Sequence, residues 1–106
     1  YTAASRSIKS ISMITEPMGV EKEIEYTDID LQLGSGDILV ACTDGVIESL
    51  DDNGVQYSSA KLEKVIASHA HESAKNISNR VKDDLKKYIG SNQQFDDTSL
   101  LVIKVE

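Results

Sequence analysis

The sequence predicts an α+β domain, a layered antiparallel sheet with helices on one side, and three observations carry that expectation. An uninterrupted apolar run, Ile38-Leu39-Val40-Ala41-Cys42, follows the turn signal Gly34-Ser35-Gly36-Asp37. Two stretches with helical spacing of apolar residues then fill much of residues 58–89. A second apolar run over residues 99–105 closes the chain, so strands flank a helical block.

Taken in order, residues 7–14 (Ser-Ile-Lys-Ser-Ile-Ser-Met-Ile) carry loosely alternating apolar positions with β-branched Ile residues, which predicts a strand. Pro17 and Gly19 interrupt it. Residues 23–33 alternate in two phases. Ile24 and Tyr26 share one face, Ile29, Leu31 and Leu33 the other, and the change near Thr27-Asp28 predicts a bulge or bend. With the Gly-Ser-Gly-Asp turn, residues 23–43 predict a β-hairpin. Residues 38–42 have no polar face, as expected of a strand covered on both sides. Residues 49–57 predict a loop around Asn53-Gly54, a dipeptide suited to positive φ. Ser58 or Ser59 can cap a helix carrying Leu62, Val65, Ile66 and Ala70. A second helix over about 72–89 has the stripe Ala74, Ile77, Val81, Leu85, Tyr88 and Ile89. Lys86 and Lys87 suit its C-terminal dipole, and Gly90 suits the position after it.

A chain of 106 residues is one domain or part of one. The net charge of −7 argues against a nucleic-acid partner, because phosphate backbones are held by Lys and Arg. The acidity is uneven: residues 21–54 hold ten acidic residues against Lys22 alone. That half is either a solvated acidic surface or the place of a cation site. Cys42 is the single cysteine, so no disulfide forms within the chain, and a reducing, cytoplasmic setting is expected. No run approaches the roughly twenty apolar residues of a membrane span, so no membrane contact is expected from this segment. The chain opens at Tyr1, inside a strand-like stretch, which predicts a fragment of a longer protein.

The chemistry-bearing residues stand at strand ends. Asp44-Gly45 closes the first apolar run, and Asp96-Asp97 opens the second. If the two strands pair antiparallel, the end of one lies beside the start of the other, and Asp44 converges with Asp96 or Asp97. Convergent carboxylates repel unless a cation lies between them, and hard divalent cations prefer oxygen. Alone, each pair is equally a common turn dipeptide or a guard against edge pairing. The combination predicts a Mg²⁺ or Mn²⁺ site and, through it, phosphate chemistry. Glu48 either holds this loop or lies behind the metal ligands. Asp51-Asp52-Asn53-Gly54 is no EF-hand, because the first and twelfth positions are Ser49 and Ala60. His69 and His71 lack a metal-ligand partner spacing, Arg6 and Arg80 are isolated, and no glycine-rich phosphate loop or nucleophile elbow is present.

In order, these segments resemble the SpoIIE-type branch of the PP2C-like metal-dependent protein phosphatases. Pro17-Met18-Gly19-Val20 is similar to the family's Pro-Leu-Gly segment. Residues 36–48, from Gly36-Asp37 through Thr43-Asp44-Gly45 to Glu48, are similar to its Gly-Asp, strand, Thr/Ser-Asp-Gly core. Asp96-Asp97-Thr98-Ser99 is similar to its closing Asp-Asp/Asn-x-Thr element. The resemblance implies a layered antiparallel β-sandwich with flanking helices, of which this chain supplies roughly the second half. It implies hydrolysis of phosphoserine or phosphothreonine with two Mn²⁺ or Mg²⁺ ions, so that no Ser, Cys or His nucleophile is needed. Asp44 and Asp96 become metal ligands at the catalytic centre, while Asp97 joins the metal site or orients it. The substrate implied is a phosphorylated regulatory protein, such as an anti-anti-sigma (STAS) factor, under an upstream sensor or receiver domain.

The departures are specific. The family's N-terminal half carries further metal-binding aspartates, which residues 1–35 do not supply. Tyr1-Thr2-Ala3-Ala4-Ser5-Arg6 lacks the Gly and His of a loop that often reads Ala-Gly-His in relatives. Ser58 stands where a Gly commonly follows the aromatic residue, here Tyr57, and Ser99 where Thr is usual. These 106 residues alone are therefore expected to bind metal weakly and to catalyse poorly. The alternative is a non-catalytic binding or scaffolding relative; a third reading is an unrelated acidic interaction domain. Open sheet edges and an open apolar face predict a homodimer, or a chain that needs its missing half.

Overall fold

A computed structural model describes residues 1–11, 30–90 and 98–106. Its elements are β1 (Ile38–Cys42), α1 (Asp44–Ile47), α2 (Ser58–Ser68), α3 (Ala74–Ile89) and β2 (Leu100–Lys104). β1 and β2 pair antiparallel, from Ile38 opposite Lys104 to Cys42 opposite Leu100. The end of β1 thus lies beside the start of β2, as the sequence predicts.

The helices cover one face of this sheet. α3 packs on β2, α2 on α3 and α1 on α2. Val46, Tyr57, Leu62, Ile66, Val81 and Leu85 form the core cluster, against which Val40, Cys42 and Leu100 pack from the sheet. Leu62 and Ile66 are one turn apart, as are Ile77, Val81 and Leu85, which is the helical stripe meeting its partner. The other sheet face differs from expectation. Leu101 and Ile103 are 57% and 44% exposed, and Ala41, opposite Leu101, is exposed too. Among the described residues, β1 is covered on one side only.

Turn chemistry fixes the connections. Gly36 has φ +83°, and a Cβ there would stand 3.0 Å from the Ala3 Cβ, so the position requires glycine. Asp37 is buried and accepts hydrogen bonds from the backbone N–H groups of Ala3 and Gly34, both at 2.8 Å. These two bonds, the first the stronger influence, hold its carboxyl below the usual range against the opposing effect of desolvation. Tyr1 and Ile38 exchange both backbone bonds, at 2.8 and 3.0 Å, tying the first residues to the start of β1.

α3 opens on Ser73, whose hydroxyl accepts from Asn76 N at 3.2 Å, and ends at Gly90 with φ +61° and Lys86 and Lys87 in its last turn. α2 begins differently from expectation. Its preceding residue is Tyr57, which makes no side-chain cap, and Ser58 has φ +72°. The buried Tyr57 hydroxyl donates to Asp84 Oδ2 at 2.6 Å, and its ring meets Tyr88 edge-on at 5.3 Å. Burial, then the Asp84 carboxylate, drives its phenol pKa far upward, so Tyr57 stays a donor. The turn between α2 and α3 is held to the sheet by Lys104, whose Nζ donates to Ala70 O at 2.8 Å and Glu72 O at 2.7 Å.

Within residues 7–11 the described chain forms no strand; its one pairing is the isolated bridge between Thr2 and Ser7. The first arm of the expected hairpin lies outside the described residues over 23–29, and residues 30–34 carry no strand. Alternation marks a segment fit for a sheet, but pairing needs a neighbour that alternation does not name.

Candidate functional site

The candidate site is the end of the sheet where β1 gives way to α1. β1 runs apolar to Cys42, and the chain turns at Thr43 into a single helical turn that begins at Asp44. Sequence reasoning expected a glycine turn here; the structure has a turn of helix, with Gly45 and Val46 buried beneath it. Burying Val46 in the core anchors the turn and leaves Asp44 exposed on the outside. The turn is fixed at its far side as well: Ser49 Oγ donates to Gly45 O at 2.6 Å in a buried contact.

The last rung of the sheet is unusual. Thr43 N donates to Ser99 O at 3.1 Å, as a ladder requires. The return bond goes from Ser99 N to the Thr43 hydroxyl, at 2.9 Å. The Thr43 carbonyl instead accepts Val46 N, at 3.1 Å, which closes the helical turn.

Asp44 also lines a groove of about 690 Å³ whose other walls include Ile8, Val40, Cys42, Leu62 and Ile66. Burial, and then the Asp44 charge, raise the Cys42 thiol pKa, which keeps this cysteine protonated and inert. Asp96 and Asp97, the other sequence-derived site residues, lie outside the described residues; Ser99, two positions beyond Asp97, is described and bonded to Thr43. Glu48 is exposed, and its backbone N–H closes the turn on Asp44 O at 2.9 Å. Thr43 is the residue of this sheet end that sequence reasoning did not single out. Its signal was present: a hydroxyl residue directly before a strand-ending Asp-Gly.

The donor set fits a hard divalent cation in kind, because Asp44 offers carboxylate oxygen at an exposed position. Among the described residues, however, no three His, Cys, Asp or Glu side chains come together as a metal group. The remaining candidate residues serve the scaffold. Arg80 is 3.4 Å from Glu72, whose other oxygen is 2.6 Å from His69 Nδ1. Arg6 is exposed, in the turn closed by the Thr2–Ser7 bridge.

The model of the SpoIIE family, stage II sporulation protein E, matches residues 3–106. Phosphoserine phosphatase RsbU of Bacillus subtilis (strain 168) is 31% identical over 87 residues, which cover 82% of this chain and 25% of RsbU. The chain thus spans about a quarter of the length of the curated relative it matches. No solved structure matches it significantly.

Proposed function

Because the chain belongs to the SpoIIE family, we propose that it forms the C-terminal part of a metal-dependent phosphatase domain acting on phosphoserine or phosphothreonine of a regulatory protein. The domain is of the PP2C-like layered type, with this chain as roughly its second half. The observation that carries the reading is the β1–β2 register. The strand that leads into Asp44 runs beside the strand that Asp96 and Asp97 precede in sequence.

In this reading Asp44 and Asp96 hold Mn²⁺ or Mg²⁺, with Asp97 as a further ligand or orienting group. Bound cations supply charge neutralisation at the phosphoryl group and activation of water. The part played by this chain's residues is positional. The buried Val46 and the Ser49–Gly45 bond hold the Asp44 turn against the core, so that its carboxylate faces outward at a fixed place. The remaining ligands come from outside these 106 residues. A STAS-type anti-anti-sigma protein is the proposed substrate, an upstream sensor or receiver domain the proposed regulator, and the cytoplasm the proposed setting. No described helix is long and apolar enough to cross a membrane.

The test is Mn²⁺-dependent hydrolysis of a phosphoserine peptide by the full-length protein beside its Asp44→Asn and Asp96→Asn variants. Activity that requires Mn²⁺ and collapses in both variants is the expected outcome. A folded full-length protein that neither binds Mn²⁺ nor turns over substrate overturns it. That result favours the non-catalytic binding module.

A further inference from the structure

We propose that Thr43 is a positioning residue for the metal-binding carboxylate, and that its hydroxyl does this by standing in for its own backbone carbonyl. The inference rests on the reading of Asp44 as a cation ligand. In an antiparallel ladder, a hydrogen-bonded pair exchanges two N–H···O=C bonds. Extending the register by one step makes Thr43 and Ser99 such a pair. Half of the exchange is ordinary, with Thr43 N on Ser99 O at 3.1 Å. The other half is not: the Thr43 carbonyl is taken by Val46 N at 3.1 Å, and Ser99 N turns to Thr43 Oγ1 at 2.9 Å.

This substitution solves a geometric conflict. Asp44 must leave the strand at once, in a helical turn, because Val46 two residues later is a core residue at 2% exposure. A carbonyl committed to that turn is lost to the sheet. Without a second acceptor at position 43, the rung would open from the Ser99 side, and the start of β2 would be free to move relative to Asp44. The hydroxyl restores the rung while the carbonyl starts the helix. Asp44 follows directly, so its carboxylate is referenced to both the core, through Val46, and to β2, through Ser99. The stretch leading into Ser99 is the one that carries Asp96 and Asp97 in sequence. The hydroxyl therefore holds the start of β2 at Ser99 against the turn that carries Asp44.

The chemistry needs an acceptor on a short side chain. Serine can supply it; valine has the same shape as threonine and cannot. Both Thr43 and Ser99 are solvent-exposed, so water can accept the freed N–H, and the loss falls on geometry more than on stability. That distinguishes a positioning role from a merely structural one.

The experiment measures Mn²⁺ binding by titration calorimetry on the full-length protein and on Thr43→Val, Thr43→Ser, Ser99→Pro and Asp44→Asn, with Ser99 amide hydrogen exchange followed in the metal-free protein. Thr43→Val is expected to weaken Mn²⁺ binding by about tenfold, as outer-shell changes commonly do. It should also speed Ser99 amide exchange, while Thr43→Ser retains both. Ser99→Pro removes the donor and leaves Thr43 intact, and it should weaken binding as Thr43→Val does; it carries the test if the valine variant does not fold. Wild-type Mn²⁺ affinity in both Thr43→Val and Ser99→Pro, with binding lost in Asp44→Asn, overturns the positioning role and leaves the phosphatase reading standing. Unchanged binding in Asp44→Asn, or none in the wild type, overturns both.

Discussion

Ser58 holds a left-handed backbone, φ +72°, directly after the fully buried Tyr57. An L-residue in that region costs about 1–2 kcal/mol, part of which glycine would return through its greater freedom when unfolded. Ser58→Gly should therefore stabilise the protein by about 0.5–1 kcal/mol, read as a raised urea midpoint with unchanged slope. The glycine that the family resemblance implies at this position would thus have a backbone cause. The sequence displayed the departure, but the sign of φ came from the fold, because Ser58 also suited a helix cap. Asp37 is the second informative residue. Backbone donation from Ala3, then Gly34, lowers its folded pKa below the unfolded value. Its contribution to stability is complete above the unfolded pKa and disappears as pH falls through the folded one. Asp37→Asn should therefore flatten the acid side of the stability profile in a pH series of thermal melts, while wild type loses stability steeply there.

Helices were the most legible elements. The stripe from Ala74 to Ile89 and the position of Gly90 place α3 to within two residues, because one amphipathic period meets one core. β1 and β2 were legible from their uninterrupted apolar runs, and their pairing followed from the two helices between them. The first hairpin arm was not testable in the same way, since residues 23–29 lie outside the described ones. The role of Lys104 was hidden as well. In sequence it is one charge at the end of an apolar strand; in the fold its ammonium donates to the Ala70 and Glu72 carbonyls left open between α2 and α3. Lys104→Met keeps the stem and removes the donor. It should cost about 1–2 kcal/mol, consistent with charged hydrogen bonds in a half-exposed setting, measurable by denaturant melts.

At the scale of the whole molecule, the described residues leave one apolar patch in the open: Leu101 and Ile103, on the sheet face that no described element covers. Such a face promotes association. The 106-residue chain is expected to self-associate in sedimentation velocity as its concentration rises, and Ile103→Lys should return it toward monomer without unfolding it. A wild-type chain that remains monomeric at high concentration would contradict this. The position of Asp44 at the sheet end beside the start of β2 was legible from the two apolar runs. That the Thr43 hydroxyl completes the last rung was not, because which acceptor completes a rung depends on where the neighbouring carbonyl has gone.

The bond from Tyr57 to Asp84 has an optical consequence. The chain has no Trp, so its intrinsic emission comes from four tyrosines. A phenol bonded to a carboxylate emits weakly, because the excited hydroxyl sheds its proton to that acceptor. Tyr57 is therefore expected to emit weakly while its hydroxyl sits 2.6 Å from Asp84, and to brighten when α2 and α3 separate. The fold carries its own fluorophore for core opening, placed between two helices and needing no label.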